Sequence, residues 1–156
     1  MTHSPKTLRS LSAPTAPSPI PDADAFAEQK QLVEAALRLD AAPGAPLAAP
    51  EVCAEAGIEP SVFEQHFDTA EELRPAFYDL ALVQYRMLTE ATTGYEEFSF
   101  EERLASFFYI LLDALGEQRA FVQATFDSRV RYRSAFRAEV REALRALLTD
   151  DDVVPN

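Results

Sequence analysis

The stretch from Val52 to Phe67, VCAEAGIEPSVFEQHF, constrains this chain more than any other, because a helix, a turn and a second short helix are legible in it from residue chemistry alone. Ala54 and Ala56 favour helix, and Gly57 is the residue type that leaves a helix through the left-handed region. Ile58 can plug the corner between two helices. Pro60 suits the first turn of the next one, where a missing N–H has no partner to lose. Val62, Phe63, His66 and Phe67 then fall on one face, while Ser61, Glu64 and Gln65 fall on the other. A helix-turn-helix is the expected local structure.

Helical periodicity continues on both sides. Asp24 to Ala41 carries an apolar stripe of Phe26, Leu32 or Val33, Ala36, Leu37 and Leu39, with Asp22 or Asp24 placed to cap its start. Turn chemistry over Ala42–Pro46 ends it, and a second helix runs from Ala49 or Pro50 to Ala56. Thr69-Ala70-Glu71-Glu72 has the form of a capping box opening a helix to about Ala91. Pro75 there requires either a distorted first turn or a true start near Arg74. Thr92-Thr93-Gly94 breaks that helix. A second capping box, Ser99-Phe100-Glu101-Glu102, opens another to about Leu115, with Leu104, Phe107, Phe108, Leu111, Leu112 and Leu115 as its core. Gly116 ends it, and Glu117–Phe126 and Arg129–Leu148 are the last two helices. No run alternates as a strand would, so the fold is expected to be all-α.

The residues Gly44, Glu51-Val52-Cys53, Ala56-Gly57-Ile58, Phe63, His66-Phe67 and Glu71-Glu72-Leu73, with the upstream run Leu32 to Leu39, resemble the amino-terminal domain of TetR-type repressors over about residues 28–75. The resemblance implies a three-helix helix-turn-helix domain over 24–68 and a short helical sensing and dimerisation domain over 69–150. A Pro-rich tail over 1–23 and an acidic tail over 151–156 flank them. It also implies a homodimeric transcriptional regulator that binds DNA through Pro60, Ser61, Glu64 and Gln65 and a small apolar effector in the second domain. Gln65 suits an adenine edge and Ser61 a phosphate. The chain departs from the family pattern at Glu59, Pro60, Ser61 and Glu64, where a polar cap, a lysine or small residue, a glycine and an aromatic are common, and at Ala70, often a lysine. Family members usually continue with two more helices that form the dimer; here the helices 100–115 and 129–148 would have to supply that surface.

Charge opposes the DNA reading. The net charge is −12, whereas DNA binding is driven largely by lysines and arginines that neutralise phosphates. From Phe26 to Leu80 eleven acidic residues face three basic ones, Lys30, Arg38 and Arg74. A salt-rich cytoplasm would relieve the repulsion, since the Debye length falls to ~3 Å at 1 M. A second reading therefore stands beside the first: a TetR-like fold that no longer binds DNA and serves as a ligand-binding or protein-interaction module.

In the second half Phe77, Phe107, Phe108, Leu111, Phe121, Phe126, Tyr132 and Phe136 suit either a packed helical core or an apolar effector pocket between helices. Arg129 could turn into such a pocket to meet an acidic head group. The row Arg129, Arg133, Arg137, Arg141 and Arg145 drifts ~40° per step, which also fits a solvated face.

Catalytic chemistry has little to stand on. Ser61, His66 and Asp68 lie on one helix and its exit, and Glu96, Glu97, Glu101 and Glu102 lack His or Cys at ligand spacing. No enzyme, cofactor or metal is expected. Cys53, the only cysteine, reads as a small core residue. No run approaches the ~20 apolar residues of a membrane span, and the first 25 residues lack the apolar run of a secretory signal, so a cytoplasmic protein is expected. Residues 1–22 hold five of the eleven prolines and read as a flexible tail or, through Lys6 and Arg9, a weakly basic arm.

Overall fold

Asp22 starts the first helix, its side chain accepting the N–H of Ala25 at 2.8 Å. The computed structural model describes residues 20–40, 45–126 and 134–149, and side chains from 136 in the last of these. Most of the Pro-rich tail, residues 41–44, Arg129, Arg133, Tyr132 and the acidic tail lie outside the described residues. Helix α1 (Ala23–Leu39) buries Leu32, Val33, Ala35 and Ala36, four positions of one helical face. Helices α2 (Ala49–Ala56) and α3 (Pro60–His66) follow.

The turn between α2 and α3 forms as its residues demand. Gly57 adopts φ +67°, and the N–H groups of Gly57 and Ile58 donate to the carbonyls of Ala54 and Cys53. A Cβ at Gly57 would meet no atom within 4 Å, so glycine is required there by backbone conformation rather than by space. Pro60 opens α3, and Phe63 is its buried anchor, with the Phe67 ring 5.9 Å away.

Pro75 is accommodated in the way its chemistry requires. The capping-box residues Ala70–Glu72 form a tight 3-10 turn, and the Glu72 carboxylate accepts the N–H groups of Asp68 at 2.9 Å and Thr69 at 3.4 Å. Helix α4 (Leu73–Ala91) begins after it. Pro75 is then the third helical residue, among the first-turn positions whose N–H needs no intrahelical acceptor.

Helix α4 ends at Ala91 with Thr92 as its C-cap, and Gly94 (φ +77°) leads into a 3-10 turn at Tyr95–Glu97, where the sequence indicated only a break. Helix α5 (Phe100–Gly116) carries the expected reciprocal cap: Ser99 accepts from the Glu102 N–H at 3.2 Å and Glu102 from the Ser99 N–H at 2.8 Å. Helices α6 (Arg119–Thr125) and α7 (Ser134–Thr149) complete the order. Among the described residues there are seven α-helices and no strand, so the fold is all-α.

The core is one continuous cluster organised on α4. This helix packs against α1 on one side and against α5 and α7 on another. Leu73, Phe77, Tyr78, Ala81, Leu82 and Tyr85 are all buried. The expected division after residue 68 is therefore not a gap in packing: Ala70 and Leu73 lie in the same core as Val33 and Val52.

On α5 the buried face is Arg103, Phe107, Leu111 and Ala114, with Leu104 and Leu115 partly buried against the core, so the expected core is corrected at Phe108 and Leu112. At ~100° per residue, Phe108 and Leu112 lie ~100–140° round from Phe107 and emerge exposed. Cys53 is buried, as expected, and burial pushes its thiol up.

Phe107 packs edge-on against Tyr85, centroids 5.0 Å apart, and the Tyr85 hydroxyl lies 3.1 Å from that of Tyr95. Burial first, and then the Tyr95 hydrogen bond, push the Tyr85 phenol above its ordinary value. The unfolded phenol ionises from about pH 10 while the folded one stays neutral, so this contribution is complete below pH ~10 and declines as pH rises beyond it. Urea melts between pH 8.5 and pH 11 are expected to show that decline, and Tyr85→Phe to flatten it; an unchanged slope in the variant would contradict the assignment.

Candidate nucleic-acid interface and effector pocket

The structure brings Pro60, Ser61, Glu64 and Gln65 together on the exposed side of α3, with Glu59 beside them. The inward side is held partly by polar contacts. His66 does not simply pack with Phe63 and Phe67: its Nε2 lies 2.7 Å from Glu28 Oε2 and its Nδ1 3.4 Å from Gln29 Nε2. These bonds fasten the end of α3 to α1. Both ring nitrogens of His66 are thereby engaged by α1.

The placement of the cations decides the electrostatics of this face. Lys30 Nζ lies 3.3 Å from Glu117 and 3.9 Å from Glu34. Arg38 Nε donates to Glu55 at 2.8 Å. Arg74 is 1% exposed and makes a two-pronged contact with Asp40, Nε to Oδ2 at 2.9 Å and Nη2 to Oδ1 at 3.0 Å. Its Nη1 donates to Glu71 at 2.8 Å and its Nη2 also to the Ala45 carbonyl. The Glu71 carboxylate in turn accepts the Leu47 N–H at 3.3 Å. This network closes the chain from the end of α1, through the segment before α2, to the start of α4. The Asp40 hydrogen bond holds the guanidinium charged more firmly still.

Each of the three cations between Phe26 and Leu80 is thus engaged by this chain's own carboxylates. The exposed side of α3 offers Glu59 and Glu64 with no lysine or arginine among its residues.

The aromatic residues expected to line an effector pocket mostly fill one another's space. Phe77 meets Phe121 edge-on at 5.4 Å. Tyr78 gathers Phe121, Phe126 and Phe136 at 6.0, 6.4 and 5.4 Å. Its hydroxyl lies 2.8 Å from Thr125 Oγ1; since Thr125 donates its own hydrogen to the Phe121 carbonyl, Tyr78 is the donor. Phe107 and Leu111 are buried in the same core, and Phe108 points outward. A cleft between Phe26, Val33, Phe77, Ala81 and Ala114 holds about 20 Å³, room for one water. A small-molecule site takes ~300 Å³ or more. Among the described residues Phe77, Phe107, Leu111, Phe121 and Phe136 pack into the helical core, while Phe108 and Phe126 are partly exposed. Arg129 and Tyr132, the other members of the expected pocket, lie outside the described residues.

No family model, no curated protein and no solved structure matches this chain. Among the described residues no helix is long and apolar enough to cross a membrane, and no three His, Cys, Asp or Glu side chains converge as a metal site.

Sequence reasoning missed two groups. Arg74 was counted only as a charge, although an arginine one helical turn before Phe77-Tyr78, on an otherwise apolar face, signalled a buried partner. Tyr78 went unremarked beside Phe77, although Arg74, Tyr78, Ala81, Leu82 and Tyr85 repeat at helical spacing.

Proposed function

We propose that this chain retains a TetR-like helix-turn-helix as architecture, does not read duplex DNA at ordinary ionic strength, and works as a protein-interaction module. The observation that carries the reading is the engagement of Lys30, Arg38 and Arg74 by intramolecular carboxylates while α3 presents Glu59 and Glu64. A DNA-binding face gains affinity by releasing counterions from phosphates, and carboxylates in its place release none. The closed aromatic cluster speaks against effector sensing in the same way. The positive feature is α5, which holds apolar side chains out to solvent.

Fluorescence anisotropy with mixed-sequence 30-base-pair duplexes at about 50 mM salt, where phosphate contacts are strongest, tests this. No binding is expected up to ~100 µM protein, a concentration that spans the ordinary ~1–100 µM non-specific range of DNA-binding proteins. Binding that weakens steeply with added salt would overturn the reading and restore a DNA-binding regulator.

A further inference from the structure

The outer face of α5 sets an apolar stripe beside an acidic edge. Phe108, Tyr109 and Leu112 are 46, 74 and 64% exposed, an adjacent apolar group rather than the scattered single residues that need no explanation. At ~100° per residue, Phe108, Leu112, Ala105 and Tyr109 follow one another round the helix, and the exposed carboxylates Glu102 and Asp113 come next beyond Tyr109. These two stand about three turns apart and so line one long edge of the stripe. Glu101 lies on the stripe itself, one turn before Ala105, and Glu96 and Glu97 are exposed on the 3-10 turn that precedes the helix. Over residues 96–117 every exposed charge is acidic, since Arg103, the one basic residue there, belongs to the buried face. Glu102 also caps Ser99, and Glu117 meets Lys30. Among the described residues no lysine or arginine pairs with Glu96, Glu97, Glu101 or Asp113.

From this pairing we infer that α5 docks a basic amphipathic helix of another protein, its apolar side over Phe108, Tyr109 and Leu112 and its lysines or arginines along Glu102 and Asp113. Charge selects this occupant. An anionic membrane or a nucleic acid would bring phosphates against the carboxylates. An antiparallel second copy about a twofold axis would lay the acidic edge beside itself. A cationic helix meets the stripe with complementary charge and covers it with apolar side chains, the arrangement by which amphipathic helices are recognised. Ala105 and Gly116, exposed at either end of the stripe, stand low enough for the incoming helix to close to the ~8–10 Å at which helices pack. Side chains of ~150–250 Å² this far exposed present on the order of 300 Å² of apolar surface. With its acidic edge, that suits the smaller class of specific interfaces and a micromolar dissociation constant.

The contact rests on the interaction role proposed above and gives that role a partner of stated chemistry. The probe is a fluorescein-labelled helical peptide of about five turns, leucine on one face and lysine on the other, titrated with the full chain at about 50 mM salt and read by anisotropy. Half-saturation on the order of 1–30 µM is expected, and binding at least ~10-fold weaker for a peptide of the same composition whose apolar face is scrambled. Tyr109→Glu with Leu112→Glu should weaken binding at least ~10-fold with the far-ultraviolet circular dichroism unchanged, although two added carboxylates would strengthen mere charge attraction. Glu101→Gln with Asp113→Asn, which leaves the cap at Glu102 intact, should weaken it ~3-fold or more and reduce its salt dependence. No binding by ~100 µM, equal binding of the scrambled peptide, or a Tyr109 and Leu112 variant that binds as well overturns the proposal. So does sedimentation equilibrium in which the chain self-associates through Tyr109 and Leu112, since a second copy then covers the stripe. Binding of duplex DNA would end the reading of function and leave this contact standing, whereas a chain that ignores both DNA and the peptide would end this contact alone.

Discussion

Arg74→Ala is expected to destabilise the fold by about 3–5 kcal/mol, because it leaves a buried carboxylate without its partner. The Asp40 side chain is only 5% exposed, and both of its oxygens are held by this one guanidinium. The loss is a large fraction of the ~5–15 kcal/mol that holds a typical domain together. Arg74→Lys should recover only part of it. One ammonium cannot span both Asp40 oxygens while also reaching Glu71 and the Ala45 carbonyl. Arg74→Met paired with Asp40→Leu, which removes the buried charge along with its partner, should lose less than Arg74→Ala alone. Chemical denaturation of the four proteins checks the set. A loss below ~1 kcal/mol for Arg74→Ala would show that Asp40 finds water or another donor and that the network does not close the chain.

Tyr78→Ala is expected to cost a similar ~3–5 kcal/mol, by a different mechanism. Its ring is 2% exposed and is the common neighbour of Phe77, Phe121, Phe126 and Phe136, so removing it opens a cavity where α4, α6 and α7 meet. Tyr78→Phe keeps the packing and gives up the bond to Thr125, a loss nearer 1 kcal/mol. Thermal melts separate the two. Equal losses would mean that the hydroxyl rather than the ring dominates.

The parts of the fold that were legible are those set by local chemistry. Asp22, Gly57, Pro60, Ser99 with Glu102, and Gly94 each satisfy or release backbone groups within a few residues of themselves, and each acts where its type suggests. Pro75 was legible too, since its missing N–H left few solutions and the 3-10 turn before Leu73 is one of them. What stayed hidden depends on partners distant in sequence. Nothing near Arg74 names Asp40, 34 residues earlier, and nothing near His66 names Glu28, 38 residues earlier. Composition could show that α5 is rich in large apolar residues; only the angle at which α4 meets it selects Phe107 and Leu111 for the interior and leaves Phe108 and Leu112 outside. The candidate DNA face was legible as a list of residues. Its electrostatic character was settled by where the three cations turned.

The burial of Ala70, Leu73 and Arg74 at the start of α4 has a mechanical consequence. These residues stand where a hinge between the helix-turn-helix and the remaining helices would have to bend. A bend there would tear the Asp40 contact and open the core beneath Val33 and Val52. The α3 surface is thus mounted on a stiff arm and cannot be re-aimed without breaking the core from which it projects.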